Sequence, residues 1–245
     1  MENIFKNILR ITIIICGLFY IVIYLSVGLY NFNLEGINLN LKTNHLSEQK
    51  KIINKDTELM LVNYEYGLDE EYQPKDLTIP NIEFTGEATD EEQHVSGIIV
   101  KPLEELINEA KLEGVTLLAN SGYRSYKLQK KTYRSRVMSE GKESADDYVA
   151  KPGFSEHQTG LCIDITNEDR YFVKGTKEAD WLEKNCYKFG FIIRYPYGKK
   201  HITGVEYEPW HIRYVGKENA KSIYNNEITL EEYLKNNYIY GGLNE

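Results

Sequence analysis

Between residues 91 and 195 the apolar positions switch repeatedly between helical and strand spacing. Ile99, Leu103, Leu106, Ile107 and Ala110 recur at intervals of three and four, which predicts a helix over 91–113 with Gly114 as its stop. The apolar run 115–119 is then a short strand, and 126–138 is a second helix. In LCIDI, 161–165, apolar residues flank a single acid, as expected of a buried strand. A third helix is expected over 181–189, ending at Gly190, followed by a strand at FIIRY, 191–195. Helices and strands keep no strict βαβ rhythm, so the pattern predicts an α+β fold rather than a doubly wound one.

The N-terminal pattern is different. Residues 11–30 (ITIIICGLFYIVIYLSVGLY) contain no charge, and twenty helical residues span roughly the 30 Å of a bilayer's hydrocarbon. Lys6 and Arg10 precede the run, so residues 1–10 are expected to stay in the cytoplasm and the rest of the chain to cross. The run is long for a cleaved signal peptide, and no clear small-x-small cleavage site follows it, so an uncleaved single-pass anchor is the preferred reading. Cys16 does not make a lipoprotein signal, because Ile15 stands where a small residue is needed and the apolar run continues beyond it. Residues 31–55, rich in Asn, Lys and Glu, read as a flexible tether. An extracytoplasmic domain over 56–245 follows, within the usual size for one core.

Composition narrows the function classes. Of 245 residues 42% are hydrophobic, enough for a real core, so wholesale disorder is excluded. The net charge of -8 argues against a nucleic-acid partner, which needs a basic face. No self-similarity at a period of a few tens of residues suggests a repeat protein. Outside the apolar run only Cys162 and Cys186 remain; they could pair, but two small side chains filling a core is the preferred reading, since each lies in an apolar run.

Chemistry concentrates in three segments: SGYRSYKLQ (Ser121 to Gln129), SEHQTGLCID (Ser155 to Asp164) and EPWHIRYVG (Glu208 to Gly216). Zinc favours imidazole and carboxylate, and a catalytic site uses three protein ligands with a fourth position open to water. His157, Asp164 and His211 supply such a set. A carboxylate between Ile163 and Ile165 is costly to bury unless paired or ligated, which singles out Asp164. Glu208, three residues before His211, is placed for a general base that need not ligate. His45, His94 and His201 lie in tether or charged surroundings and are assigned no site role.

Together these segments resemble the zinc D-alanyl-D-alanine carboxypeptidases of the VanY kind, in a fold group with lysostaphin-type endopeptidases, VanX-type dipeptidases and the hedgehog domain. The pattern Ser-x-His, then Asp seven residues after that His, then Glu-x-x-His, is met by Ser155, His157, Asp164, Glu208 and His211. The resemblance extends to WLEKNCYKFGFIIRYP and LVNYEYGL and covers about three quarters of the chain. It implies a single peptidase domain with a small antiparallel sheet flanked by helices. It also implies one Zn2+ per chain on His157, Asp164 and His211, Glu208 as general base, and Arg124 stabilising charge on the scissile carbonyl. Gln129 and Ser155 match positions near the substrate. Cys162 and Cys186 stand where alanine is usual.

The function implied is that of a membrane-anchored zinc D,D-carboxypeptidase that hydrolyses the C-terminal D-Ala from peptidoglycan stem peptides ending in D-Ala-D-Ala. The alternatives are an L,D-carboxypeptidase on tetrapeptide stems, a VanX- or VanXY-like dipeptidase, and a zinc-bearing cell-wall binding module. A non-enzyme could lose its base or arginine without penalty, and this chain has both Glu208 and Arg124.

Overall fold

In the computed structural model, which describes residues 58–235, an α+β domain is organised around a four-stranded antiparallel sheet. Strands β1 (Leu77–Thr78) and β2 (Val95–Ser96) form a separate two-stranded ladder. Helix α1 (Gly97–Leu112) follows, then β3 (Leu118–Ser121), α2 (Tyr126–Glu140) and α3 (Lys142–Tyr148). Strand β4 (Cys162–Thr166) leads to α4 (Lys177–Asn185), β5 (Phe191–Ile193), the single turn α5 (Lys200–Thr203) and β6 (His211–Tyr214). Helices α6 (Lys217–Asn225) and α7 (Leu230–Leu234) close the described chain. The sheet order is β3-β4-β6-β5, so the last strand inserts between two earlier ones.

The expected helix over 91–113 begins later, because residues 91–93 form a 3-10 turn and Val95 pairs with Thr78 before α1 starts. The expected strand over 115–119 is shifted to Leu118–Ser121, and the expected third helix starts earlier, at Lys177. The reason is a cap: the Thr176 hydroxyl accepts from the Ala179 N–H, satisfying a donor that the helix start leaves open. The third helix's end is a 3-10 turn over Cys186–Phe189, closed by Gly190 in the left-handed region. The anchor expected at 11–30 and the tether at 31–55 lie outside the described residues. Among the described residues no helix is long and apolar enough to cross a membrane.

Strand periodicity then divides the sheet into two chemical faces. Ile163, Ile165 and Ile212 point to one face and pack with Ile99, Leu103, Leu106 and Ala110 of α1 and with Leu182 and Phe191. Burying each of the larger side chains contributes roughly 1.5–3 kcal/mol. Trp181 Nε1 donates to Glu113 Oε2 at 2.8 Å, tying α4 to the end of α1. A second cluster, built from Leu59, Leu61, Ile192, Val215, Ile223 and Leu230, joins the start of the described chain to its last two helices. The other face of β4 and β6 carries Cys162, Asp164, His211 and Arg213, which places chemistry on the back of a sheet whose front is hydrocarbon.

Candidate metal centre

Strand register brings the first two site residues together. Asp164 of β4 and His211 of β6 are directly opposed in the ladder, so their side chains share one face, and Ser121 of β3 opposes Asp164 on its other side. The Asp164 carboxylate approaches His211 Nδ1 to 3.0 Å and His157 Nε2 to 3.5 Å. Two donors bound about 2.1 Å from one tetrahedral ion lie roughly 3.4 Å apart, so these spacings suit a common metal.

His157 arrives from the 3-10 turn over Glu156–Thr159, which ends at Gly160 with φ +67°. A Cβ at Gly160 would lie 2.9 Å from the Ser96 nitrogen, so the turn requires glycine. His157 Nδ1 donates to the Gly122 carbonyl at 2.7 Å, which leaves Nε2 bare and facing Asp164. Gly122 belongs to the SGYRS segment and is itself constrained, since a Cβ there would meet the His94 carbonyl at 2.4 Å. The sequence's SGY and SEH segments are thus two halves of one hydrogen bond.

The donor set fits a zinc ion. Asp164 Oδ1 is buried without a hydrogen-bond partner although His211 Nδ1 is at 3.0 Å, as expected of two atoms aimed at a third object rather than at each other. The two imidazole rings meet edge-on, 5.0 Å between centroids. Among the described residues, ligand atoms of His157, Cys162 and His211 all lie within 4.8 Å of one another, which is also compatible with one Zn2+. Sequence reasoning missed this thiol. Its signal was present, because Cys162 stands two residues before Asp164 on the same strand and so on the same face. Burial opposes ionisation of Cys162, yet the His157 and His211 rings bring it down to about 7. Among the described residues both cysteines are free and buried; Cys186 fills the apolar core as expected, whereas Cys162 lies with the histidines on the opposite face of the sheet.

Glu208 enters from the loop before β6, its Oε2 3.9 Å from His211 Nδ1. Burial pushes its carboxyl up to about 7, opposed by His211 and reinforced by Asp164. Arg124 stands on the other side: its backbone N–H donates to the His157 carbonyl at 3.1 Å. Arg124 Nη1 donates to Gln129 Oε1 at 3.0 Å, and Nη2 donates to Ser121 Oγ at 2.8 Å beside Glu92 at 3.4 Å. Gln129 is buried on α2 and its amide also donates to the Ala150 carbonyl at 2.7 Å, so both ends of this side chain are engaged inside the protein. Ser155 is buried at the entry to the His157 turn, its carbonyl accepting from Gln158 N–H. His94 Nδ1 donates locally to the Asp90 carbonyl at 2.8 Å, and His201 is exposed; neither joins the cluster. A groove of about 310 Å³ opens beside Asp164, bordered by Asn120, Thr166, Arg170, Tyr171 and Trp210.

A fold of this kind with two histidines, a carboxylate and a nearby glutamate at one end of a small sheet defines a zinc metallopeptidase. A family model described as VanY, D-alanyl-D-alanine carboxypeptidase, matches residues 92–217. Over 214 residues the chain is 41% identical to the putative carboxypeptidase YodJ of Bacillus subtilis strain 168, a match covering 83% of this chain and 78% of that one. Among solved structures it is similar to the LdcB LD-carboxypeptidase, with a TM-score of 0.69 and 42% identity over 77% of this chain and 93% of that one. It is also similar to the vancomycin-resistance D,D-pentapeptidase VanY of a VanB-type cassette, solved with Zn(II), with a TM-score of 0.62 and 36% identity over 72% and 98% of the two chains. The chain belongs to the VanY family of D-alanyl-D-alanine carboxypeptidases.

The crowded donor set yields a direct test. If Asp164 is the third ligand and Cys162 only lies beneath it, Cys162→Ala will keep about one zinc per chain and turn over within a few-fold of the parent. Loss of the metal, read by elemental analysis of the purified protein, would make the thiol a ligand instead.

Proposed function

We propose that the chain acts as a membrane-anchored zinc D,D-carboxypeptidase that removes the terminal D-alanine from peptidoglycan stem peptides ending in D-Ala-D-Ala. The observation that carries this reading is the approach of the Asp164 carboxylate to 3.0 Å from His211 and 3.5 Å from His157, with Glu208 alongside and a groove leading away. His157 through Nε2, His211 through Nδ1 and Asp164 would hold the ion. Zinc, when bound, supplies Lewis acidity, making water nucleophilic near neutral pH and polarising a carbonyl oxygen.

The remaining work falls to the chain's own groups. Glu208, poised by burial near neutrality, takes a proton from the attacking water and returns it to the leaving amine of D-alanine. Arg124 adds positive charge where the carbonyl oxygen becomes negative. Its guanidinium can do this without reorganising, because Gln129, Ser121 and Glu92 hold it in one orientation. In this reading Gln129 serves the substrate through Arg124 rather than by touching it. The groove beside Trp210 and Tyr171 takes the peptide upstream of the scissile bond.

That groove sets the substrate prediction. Upstream stem residues add binding energy that can be used at the reacting centre, which a free dipeptide lacks. The kcat/KM for releasing D-alanine from a pentapeptide stem is therefore expected to exceed that for splitting free D-Ala-D-Ala by at least about tenfold, roughly 1.4 kcal/mol of transition-state binding. Equal activity on the dipeptide would favour a VanX-like role. A second reading is supported by the likeness to LdcB, an LD-carboxypeptidase; selective cleavage of a tetrapeptide stem in the same assay would establish it.

Placement outside the membrane is supported by the charge-free run at 11–30 with Lys6 and Arg10 before it. External protease added to protoplasts is expected to release the catalytic domain by cutting within 31–55, and a reporter fused after Glu245 to be active only in exported form. Full protection of that reporter from outside protease would sink the topology.

A further inference from the structure

The segment SEHQTG places Glu156 directly before His157, and no role in the reaction described so far uses it. Glu156 is fully buried, as are the two guanidinium groups that meet it. One of its oxygens does all of the ion pairing: Oε1 accepts from Arg194 Nε at 2.8 Å and from Arg213 Nη1 at 2.5 Å. The other, Oε2, has no hydrogen-bond partner and lies 3.5 Å from His211 Nε2, which is likewise buried and unpartnered. Had Glu156 served only to neutralise the two arginines, both oxygens could have faced them in the paired geometry that guanidinium and carboxylate favour. That geometry is used elsewhere in the same cluster, where Arg194 Nη1 and Nη2 bind the two oxygens of Glu231 at 3.0 and 2.7 Å.

We infer that Glu156 is a positioning residue for His211: its free oxygen accepts the Nε2 proton, fixing the tautomer in which Nδ1 is bare and turned toward Asp164. This rests on the reading of His211 as a zinc ligand. An imidazole carries one proton when neutral, and only the nitrogen without it can bind metal, so a carboxylate on the far nitrogen decides which face of the ring is available. The arrangement parallels that of His157, whose Nδ1 is held by the Gly122 carbonyl so that Nε2 faces the same point. The two ligands thus present opposite nitrogens to one ion, and each is set from behind by an oxygen acceptor.

Glu156 can hold that position because it cannot turn. Arg213 is anchored by its Nη2 to the carbonyls of Met60 at 2.6 Å and Glu58 at 3.1 Å, and by Nε to the Tyr214 carbonyl at 3.0 Å. Arg194 is anchored by Glu231 of α7, which also accepts from Asn63 Nδ2 at 3.1 Å. Two carboxylates and two guanidinium groups balance in charge, so the cluster places a hydrogen-bond acceptor behind His211 without leaving a net buried charge. Through it the start of the described chain and α7, neither of which reaches the metal centre, bear on the orientation of a metal ligand.

The test reads the ring directly. In full-length zinc-loaded protein labelled with 15N at histidine, the imidazole correlations of His211, assigned by their loss in His211→Ala, are expected to show a proton on Nε2 and the metal on Nδ1. In Glu156→Gln the amide can present its NH2 to Nε2, which favours the Nδ1–H form, and zinc affinity measured against a chromogenic chelator is expected to fall about ten- to a hundredfold. Glu231→Gln is the structural control: it breaks the same ion cluster but leaves Glu156 in place, and should lower thermal stability while keeping the tautomer and the zinc affinity.

Zinc on Nε2 with the proton on Nδ1 in the wild-type zinc-loaded protein overturns the proposal, and that reading remains decisive if Glu156→Gln does not fold. So does a folded Glu156→Gln with tautomer and zinc affinity unchanged, or an equal loss of affinity in Glu231→Gln. Retention of zinc by His211→Ala would instead remove the ligand reading of His211 and leave the tautomer measurement standing on its own.

Discussion

Glu208→Gln is expected to give a folded, zinc-loaded protein whose turnover is slower by roughly two to four orders of magnitude, the usual worth of a positioned general base. The substitution keeps the size and shape of the side chain and removes only its capacity to take a proton. The loop survives it because the backbone supplies the anchoring: Glu208 N–H donates to the Tyr195 carbonyl at 3.1 Å, and the Glu208 carbonyl accepts from His211 N–H at 3.3 Å. The carboxylate is 3.9 Å from His211 Nδ1, further than either Asp164 contact, which is why its loss should leave the metal in place. Metal content and kcat measured on one preparation separate the outcomes. A variant that loses zinc together with activity would make Glu208 a ligand.

His211→Ala should have the opposite signature, losing zinc and activity together while the sheet remains. His211 opens β6, and the register continues without it through Ile212 against Ile163 and Arg213 against Cys162. Its ring is buried against His157 and Tyr195, each at 5.0 Å between centroids, so truncation leaves a cavity and costs stability, on the order of 2–4 kcal/mol by analogy with other large-to-small changes. With one imidazole gone, the assigned ligands are reduced to His157 and Asp164, two where a catalytic zinc site uses three. The check is zinc stoichiometry beside a far-ultraviolet circular dichroism spectrum. Parent-like zinc in a folded His211→Ala would refute the assignment.

Much of this site could be read before any coordinates, for reasons that differ from residue to residue. Asp164 announced itself because an acid between two isoleucines of a buried strand must have a partner, and the structure gives it two histidines. His157 and His211 acquired meaning only jointly with Glu208, since a single histidine in a glycine-containing loop carries little information. Helix α1 was visible because one apolar stripe of Ile99, Leu103, Leu106 and Ala110 meets the core, whereas α6 and α7 were not singled out. Strand β6 was also missed as a strand. Its alternation of His211 and Arg213 with Ile212 and Tyr214 suggests a half-exposed edge, yet it is an inner strand and Arg213 is fully buried.

Local spacing along the chain therefore determined the α+β class, the candidate site segments and the residue types able to hold zinc, because those depend on periodicity and on the chemistry of neighbours a few positions apart. Only the tertiary structure decided which strand lies beside which, and with it the opposition of Asp164 to His211 across β4 and β6, residues 47 positions apart in the sequence. It alone brought Cys162 under the histidines and turned Glu156 away from solvent toward Arg194, Arg213 and His211. The physical reason is that burial of a charge is legible only when its counter-charge is known, and here Arg194 and Arg213 are brought to Glu156 by the closing of the sheet, and Glu231 of α7 to Arg194, rather than by anything encoded nearby.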